Sequence, residues 1–192
     1  AKALPQDGHP AFHLADFIVL ALHTGCRSGE LLGLEWDRVD LRNNLIRLEG
    51  DHTKSGRGRS VPINGDARAA LLGRARHRAE HCPDSPWVFV NSNPRWKGRR
   101  ISSVKSAFSA ACKRANIEHC TPHTLRHTCA SWMVMEGRSL MEVRDILGHS
   151  TVKMTERYAH LAPERLREAV SVLETGRTFA VPSSTTRRLR YQ

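Results

Sequence analysis

This 192-residue sequence lacks the features that mark membrane and secreted proteins. No apolar run approaches the roughly 20 residues that a membrane-spanning helix needs, and the best candidate, residues 17–22, is far too short. The N-terminal residues do not form a signal-peptide pattern. We therefore predict no membrane association. The absence of an initial methionine indicates a piece of a longer chain.

The chain also lacks the paired-cysteine spacing of a structural zinc site or a small disulfide scaffold. Its five cysteines are an odd number, which favours free thiols in a cytoplasmic protein. Two groups of His and Cys, within residues 77–82 and 119–129, are the nearest approach to a metal site. There is no P-loop and no carboxylate cluster of the kind that holds two metal ions. We predict neither a metal nor a cofactor.

Acidic residues are scarce relative to basic ones. The 19 Asp and Glu stand against 30 Lys and Arg, which gives a formal net charge of +11. Such an excess favours a polyanionic partner, usually nucleic acid. An anionic membrane surface is a second possibility, but the chain has no strongly amphipathic basic helix to favour it. A basic protein without a polyanionic partner is the third.

Hydrophobic spacing predicts a mainly helical chain. Apolar residues recur at helical intervals over 11–23, and Thr24-Gly25 predicts the end of that helix. Ser28 and Asn64 are predicted to cap the next two helices, over 29–34 and 66–79. Ser150 or Thr151 is predicted to cap a short helix that carries Tyr158. The later helices are predicted over 102–114, 124–136, 139–146, 152–160 and 163–173.

Residues 45–48 and 59–63 predict two strands joined by a basic, glycine-rich hairpin, and residues 87–90 predict a short extended segment. The predicted fold class is therefore mainly α with a small antiparallel β-sheet (α+β). From Gly176 the chain becomes rich in Ser, Thr and Arg. We predict one domain over residues 1–175, followed by a tail over 176–192 that is mobile or docks on a neighbouring protomer.

One stretch, residues 121–161, concentrates reactive side chains. His123 and Arg126 are three residues apart, so a helix would place both on one face. Pro122 suits the start of that helix. His149 follows a glycine that interrupts an apolar run, and Tyr158 comes nine residues later in the sequence. Together these residues could bind an anionic group and attack it, whereas any one of them alone would more simply be a surface residue.

Two other segments supply cations suited to phosphate. Arg27 lies between two predicted helices, and Glu30 is placed to hold its guanidinium. The hairpin places Lys54 near a turn where glycines let the backbone approach a ligand. A second basic loop, residues 93–100, carries Trp96, a mixture common along nucleic acid. The predicted DNA-binding residues are Arg57, Arg59, Arg95, Lys97, Arg99 and Arg100.

These segments together resemble the catalytic domain of tyrosine recombinases, the phage integrase family. Residues 24–31 (TGCRSGEL) look like its first arginine box, and residues 53–56 followed by 61–63 look like its lysine hairpin. Residues 123–127 (HTLRH) look like the second box, and residues 147–150 (LGHS) with Tyr158 look like the third. The boxes occur in the family's order, and the resemblance runs from about residue 10 to residue 175, nearly the whole chain.

The resemblance implies that a DNA phosphodiester is transferred to Tyr158, which leaves a 3′-phosphotyrosine and a free 5′-hydroxyl. A second 5′-hydroxyl then reverses the transfer on a new strand, without ATP or metal. Arg27, Arg126 and His149 would bind the nonbridging oxygens. Lys54 would protonate the leaving oxygen, and His123 would accept the Tyr158 proton. Glu30 would orient Arg27.

The resemblance also implies the setting in which this chemistry takes place. The expected partner is double-stranded DNA, bound in the full-length protein by a homo-tetramer with a preceding DNA-clamping domain. The expected location is a bacterial cytoplasm or nucleoid, with a phage or mobile-element origin. Two alternatives stay open: a type IB topoisomerase-like enzyme that relaxes DNA, and a DNA-binding module without catalysis.

Overall fold

The computed structural model describes residues 12–49, 58–162 and 170. The chain divides into two units, Ala1–Ala162 and Pro163–Gln192, and everything described except residue 170 lies in the first. The predicted helix over 163–173 and the predicted boundary after residue 175 fall outside the described residues. The elements are α1 (Phe12–Thr24), α2 (Ser28–Leu32), β1 (Val39–Asp40), β2 (Leu45–Leu48), β3 (Arg59–Pro62), α3 (Gly65–His81), α4 (Lys105–Arg114), α5 (Pro122–Met135), α6 (Leu140–Leu147) and α7 (Lys153–Glu156).

The three strands form one antiparallel sheet in the order β1-β2-β3. Ile46 pairs with Val61, and both side chains are fully buried, whereas the neighbouring pair of Arg47 and Ser60 is exposed. This alternation follows from the period of two along a strand, which directs one face of the sheet to the core. The fold class is confirmed. The two-residue strand β1 was not predicted from the sequence.

Helix α1 is central to the packing, since it contacts both α3 and α5. Its predicted end is confirmed at Gly25, whose φ of +61° is a conformation that glycine adopts without steric penalty. A Cβ at Gly25 would lie 2.5 Å from Cδ2 of Leu147, so this glycine also allows the ends of α1 and α6 to approach closely. The predicted cap of α3 is confirmed as well, because the Asn64 side chain accepts from the Ala67 N–H.

Helix α5 begins two residues before its predicted start. Thr121 accepts from the Thr124 N–H in a capping box, and Pro122 occupies the first turn, as predicted from its missing N–H. This start places His123 in the first turn of α5 and Arg126 at the beginning of the second. None of the described helices combines the length and apolar character needed to cross a membrane.

The segment that carries Tyr158 is shorter than the predicted helix over 152–160. Helix α7 ends at Glu156, and a single 3₁₀ turn over Ala159–Leu161 follows. Tyr158 lies between them, with its N–H bonded three residues back to the Thr155 carbonyl at 3.0 Å. The predicted caps were wrong, because Val152 occupies the N-cap without a side-chain bond. The Tyr158 ring instead packs in a small hydrophobic cluster formed with Ala130, Val134, Val143 and Leu147.

Candidate active site

A cleft of about 450 Å³ opens between the first half of α5, the loop after α6, and α7. Among the described residues its lining contains no carboxylate. It consists of Arg27, His123, Arg126, His127, His149, Lys153, Met154, Arg157 and Tyr158. The structure thus brings together every predicted catalytic residue that it describes. Lys54 lies outside the described residues, as does Arg57.

Glu30 holds Arg27 at the start of α2. Arg27 is the N-cap residue, with an extended backbone at φ −69° and ψ 150°. The Glu30 carboxylate accepts from the backbone N–H and from Nη1 of Arg27, each at 2.8 Å. The predicted cap, Ser28, is instead the first helical residue, because Glu30 already closes the capping box. These contacts place Glu30 where an orienting role would require it.

The position of Arg59 does not agree with the prediction that this residue contacts DNA. Its side chain is only 9% exposed. Its Nη1 and Nη2 donate to Glu30 at 3.1 and 2.8 Å, and its Nε donates to the Ile146 carbonyl at 3.1 Å. The physical reason is that a buried carboxylate needs charge and hydrogen bonds around it. Arg59 therefore faces the protein interior and joins β3 to α2 and α6.

The two arginines keep Glu30 ionised. Burial alone would raise the pKa of the Glu30 carboxyl, but the hydrogen bonds from Arg59 and Arg27 outweigh burial and hold the pKa below its usual range. The group formed by these three side chains therefore contains one more cation than anions. Its excess positive charge adjoins the cleft through Arg27.

Arg126 is buried, with 3% of its surface exposed, and bridges the C-terminal ends of α1 and α6. Its Nη1 donates to the Gly25 carbonyl and its Nη2 to the Leu147 carbonyl, each at 2.6 Å. Burial lowers the pKa of its guanidinium to about 10, with Arg27 contributing further, so Arg126 stays charged at neutral pH. A guanidinium carries more N–H donors than these two carbonyls use. Arg126 can therefore fix these helix ends and still present donors to the cleft.

His149 is held in place by Thr155, a fully buried residue of α7. The hydroxyl of Thr155 and Nδ1 of His149 are 2.9 Å apart. Burial lowers the pKa of His149 to about 4, and Arg126 and Arg27 contribute further, so the ring is neutral at physiological pH. When Nδ1 accepts from Thr155, the proton of the neutral ring is on Nε2, which can then donate in the cleft.

Tyr158 has its hydroxyl within 2.5 Å of Nδ1 of His127. The residue is only 6% exposed, so packing fixes the position of the hydroxyl. Burial raises the pKa of Tyr158, and the charges of Arg157 and Arg126 only partly oppose that effect. His123 lines the same cleft, and its ring meets that of His127 edge-on at 4.5 Å between centroids.

The remaining predicted DNA-binding residues lie in the loop that includes the 3₁₀ turn Pro94–Trp96, and they do not line the cleft. Trp96 is 45% exposed, and the guanidinium carbons of Arg95 and Arg99 lie 5.3 and 5.4 Å from its ring centroid. Lys97 is exposed beside them. Arg100 lies over the ring of Trp87 at 5.6 Å. Guanidinium groups placed in this way over aromatic rings give the loop a basic surface.

The structure adds residues to the cleft that were not predicted as part of the site. Lys153 and Arg157 flank Tyr158 and add positive charge, and His127 contacts the tyrosine hydroxyl. The spacing of His127, four residues after His123, was a usable signal, since residues at that spacing share a helix face. Among the described residues, no group of three His, Cys, Asp or Glu side chains is arranged to hold a metal ion.

Gly148, the residue before His149, lies directly against the Arg59 side chain. Its φ is +64°, and a Cβ added there would lie 2.8 Å from both Cδ and Nη1 of Arg59. We expect Gly148→Ala to destabilise the fold by about 2 kcal/mol, because it adds left-handed strain and displaces Arg59 from Glu30. For a chain of this size that corresponds to a loss of roughly 4–8 °C in Tm, which calorimetry would measure.

Gly65 provides the matched control for this substitution. A Cβ added at Gly65 would meet no atom within 4 Å, and Gly65 is the first residue of α3. Gly65→Ala should leave Tm nearly unchanged. An equal Tm for Gly148→Ala and the unaltered chain would contradict the close packing between Gly148 and Arg59.

Comparison with known proteins identifies relatives of this chain. Residues 4–165 match the phage integrase family. The chain is 30% identical over 179 residues to the integrase of Salmonella phage P22, covering 88% of this chain and 45% of that protein. The chain spans about half the length of the curated relatives it matches, since it covers 45% of one of them and 50% of another.

Two solved structures have a similar fold. The catalytic domain of bacteriophage HP1 integrase is 32% identical with a TM-score of 0.60, covering 83% of this chain and 81% of that one. The Tn1549 transposon integrase in complex with a circular intermediate DNA is 25% identical with a TM-score of 0.68, covering 87% of this chain and 60% of that one. Because the family match extends over most of the sequence and includes every box that meets in the cleft, the chain belongs to the phage integrase family.

Proposed function

We propose that this chain cuts and rejoins DNA strands by transferring a phosphodiester to Tyr158, as the catalytic part of a site-specific recombinase or integrase. The observation that carries the proposal is the cleft itself. It holds a tyrosine hydroxyl among arginine, lysine and histidine side chains and, in the described part of the chain, no carboxylate. Such a lining favours a phosphate next to an oxygen nucleophile.

The positive groups match the charge that develops during phosphoryl transfer. Negative charge increases on the nonbridging oxygens, and fixed donors stabilise it most in a partly dehydrated site. Arg27 and Arg126 offer planar forks that can each bind two oxygens. His149, held by Thr155, would donate from Nε2. Because Glu30 and two backbone carbonyls fix the arginines beforehand, little reorganisation is needed when the phosphate arrives.

The two proton transfers need separate groups. The leaving 5′-oxygen needs an acid, and we propose Lys54, which comes between β2 and β3 in the sequence. The Tyr158 hydroxyl needs a base, because burial keeps its pKa above the ordinary value. The resemblance gives that role to His123, which lines the cleft.

Double-stranded DNA is the proposed partner. The formal charge of +11 supplies non-specific attraction, and the Trp96 loop with Arg95, Lys97 and Arg99 offers an exposed basic surface for the DNA backbone. The DNA complex of the Tn1549 transposon integrase, whose fold is similar, supports this choice. We further propose that Arg57 and Arg100 contact DNA.

The wider setting is proposed on the family likeness. We propose a homo-tetramer on DNA for the full-length protein, a cytoplasmic or nucleoid location, and a phage or mobile-element origin. We also propose residues 1–175 as the catalytic domain and residues 176–192 as a tail that docks on a neighbouring protomer. Since the chain spans about half of the length of its curated relatives, it should bind DNA loosely and be monomeric or weakly associated without DNA.

Covalent trapping tests the proposed function. Random-sequence duplexes that carry a nick would be incubated with the chain, denatured, and the DNA linked to protein recovered and amplified. In a nicked duplex the short product dissociates after cleavage, so the adduct accumulates. We expect enrichment of a defined sequence in a slow reaction that needs no metal. DNA binding without any adduct would indicate the non-catalytic module.

The enriched sequence then distinguishes recombinase from topoisomerase. Two duplexes that carry it would be tested for strand exchange, and a supercoiled plasmid that carries it would be tested for relaxation. We expect exchange products in low yield, since the chain spans about half the length of its curated relatives. Relaxation of plasmids that lack the sequence, with no exchange, would favour the type IB topoisomerase-like activity.

A further inference from the structure

The shortest contact of the Tyr158 side chain involves a residue to which the family resemblance gives no role. Nδ1 of His127 and the Tyr158 hydroxyl are 2.5 Å apart, a short hydrogen bond between residues 31 positions apart in sequence. His127 lies on α5, one turn after His123, and its ring is close to both side chains. Its centroid is 4.5 Å from that of His123 and 6.0 Å from that of Tyr158.

We propose that His127 is the general base that accepts the Tyr158 proton, and that His123 holds the His127 ring in position. The inference rests on the proposed function. His127 contacts the reacting oxygen itself, within the reach that a general base requires. His123, on the same face of α5, limits the rotation of the His127 ring by edge-on packing.

The surroundings of His127 keep its ring neutral and able to accept a proton. Burial lowers the pKa of His127, and His123, Arg157 and Arg126 lower it further. His149 also faces this group from the loop after α6. A neutral ring protonated on Nε2 leaves Nδ1 as the acceptor, so the Tyr158 O–H donates to it. The raised pKa of Tyr158 means that the hydroxyl does not ionise unaided at neutral pH.

The proton and bond changes balance in both directions. In cleavage, the Tyr158 oxygen bonds to phosphorus while its proton moves to Nδ1 of His127, and the bond from phosphorus to the 5′-oxygen breaks. The leaving oxygen takes a proton from the acid, proposed as Lys54. In rejoining, a 5′-hydroxyl attacks the phosphotyrosine and gives its proton to the Lys54 amine. The Tyr158 oxygen leaves and recovers its proton from the His127 imidazolium.

The experiment compares two replacements of His127 in the complete 192-residue chain. His127→Ala removes both the hydrogen bond and the base. His127→Asn keeps an acceptor near the position of Nδ1 but cannot accept a proton. His119→Ala is the control, since His119 is an exposed histidine outside the cleft. Single-turnover adduct formation on the enriched nicked duplex would be measured from pH 5 to about pH 9, with and without added imidazole.

We expect both His127 variants to form adduct roughly 10²-fold more slowly or worse, with DNA affinity unchanged. The rate of the unaltered chain should fall only at a pH below the ordinary histidine value of about 6.5, because burial lowers the pKa of His127 and the protonated ring cannot act as a base. This fall should be absent in His127→Ala, and imidazole should restore part of its activity.

Three results would overturn the inference. An active His127→Asn beside an inactive His127→Ala would mean that His127 only positions the tyrosine. Faster cleavage by His127→Ala would mean that the contact restrains Tyr158. A slow variant with an unchanged pH profile and no imidazole rescue would mean a structural role. If the unaltered chain itself forms no adduct, the proposed function fails, which is a different result from any of these.

Discussion

Tyr158→Phe should abolish the covalent protein–DNA adduct and leave DNA binding nearly intact. The substitution removes only the hydroxyl, while the ring keeps its packing against Ala130, Val134 and Leu147. The nucleophile is lost, but every cation of the cleft remains to hold the phosphate. Adduct would be measured by gel shift under denaturing conditions, and affinity by fluorescence anisotropy on the same duplex.

Tyr191→Phe is the matched control, because Tyr191 is the other of the two tyrosines in the chain. We expect it to form adduct at the rate of the unaltered chain. Adduct that persists in Tyr158→Phe would exclude Tyr158 as the nucleophile. A loss of DNA affinity as large as the loss of adduct would show that the hydroxyl acts in binding instead.

Arg126→Lys should slow cleavage by about 10²-fold or more, although it keeps the charge. A lysine has no planar fork, so it cannot hold the Gly25 and Leu147 carbonyls and still present donors to the cleft. We also expect a loss of stability of about 2 kcal/mol, since a charged hydrogen bond to a buried carbonyl is lost. Single-turnover kinetics and thermal unfolding would measure the two effects separately.

The control for Arg126→Lys is Arg114→Lys at the exposed end of α4. It makes the same chemical change outside the cleft and should alter neither rate nor stability. DNA affinity of Arg126→Lys should weaken far less than its rate, because many other cations hold the DNA backbone. A cleavage rate within a few-fold of the unaltered chain would make Arg126 a purely structural residue.

Local sequence patterns were sufficient to predict most of the fold and much of the cleft. The end of α1 at Gly25, the Asn64 cap and the two longer strands all depend on residues close in sequence. Arg126 and His123 share a helix face for the same reason. The segment at Tyr158 was predicted less well, because a bond to Thr155 tightens the chain there and ends α7 early.

The error at Arg59 and the omission of His127 come from contacts between distant segments. From the sequence, Arg59 was predicted to be a cation of a basic hairpin that faces DNA. Its actual partners are Glu30, which is 29 positions away in the sequence, and Ile146, which is 87 positions away. His127 meets Tyr158 across 31 positions. No local pattern encodes such pairings, because they depend on how α2, α5 and α7 pack. The burial of Glu30 then determines that Arg59 must face inward.

Mapping the adduct tests the central claim most directly. The chain would be reacted with the enriched nicked duplex, digested with protease, and the DNA-linked peptide identified by mass spectrometry. We predict a peptide that contains Tyr158, linked to the 3′-phosphate of the cleaved strand, with a free 5′-hydroxyl on the other product. A linkage to Tyr191, a linkage through a 5′-phosphate, or cleavage with no covalent peptide would contradict the account.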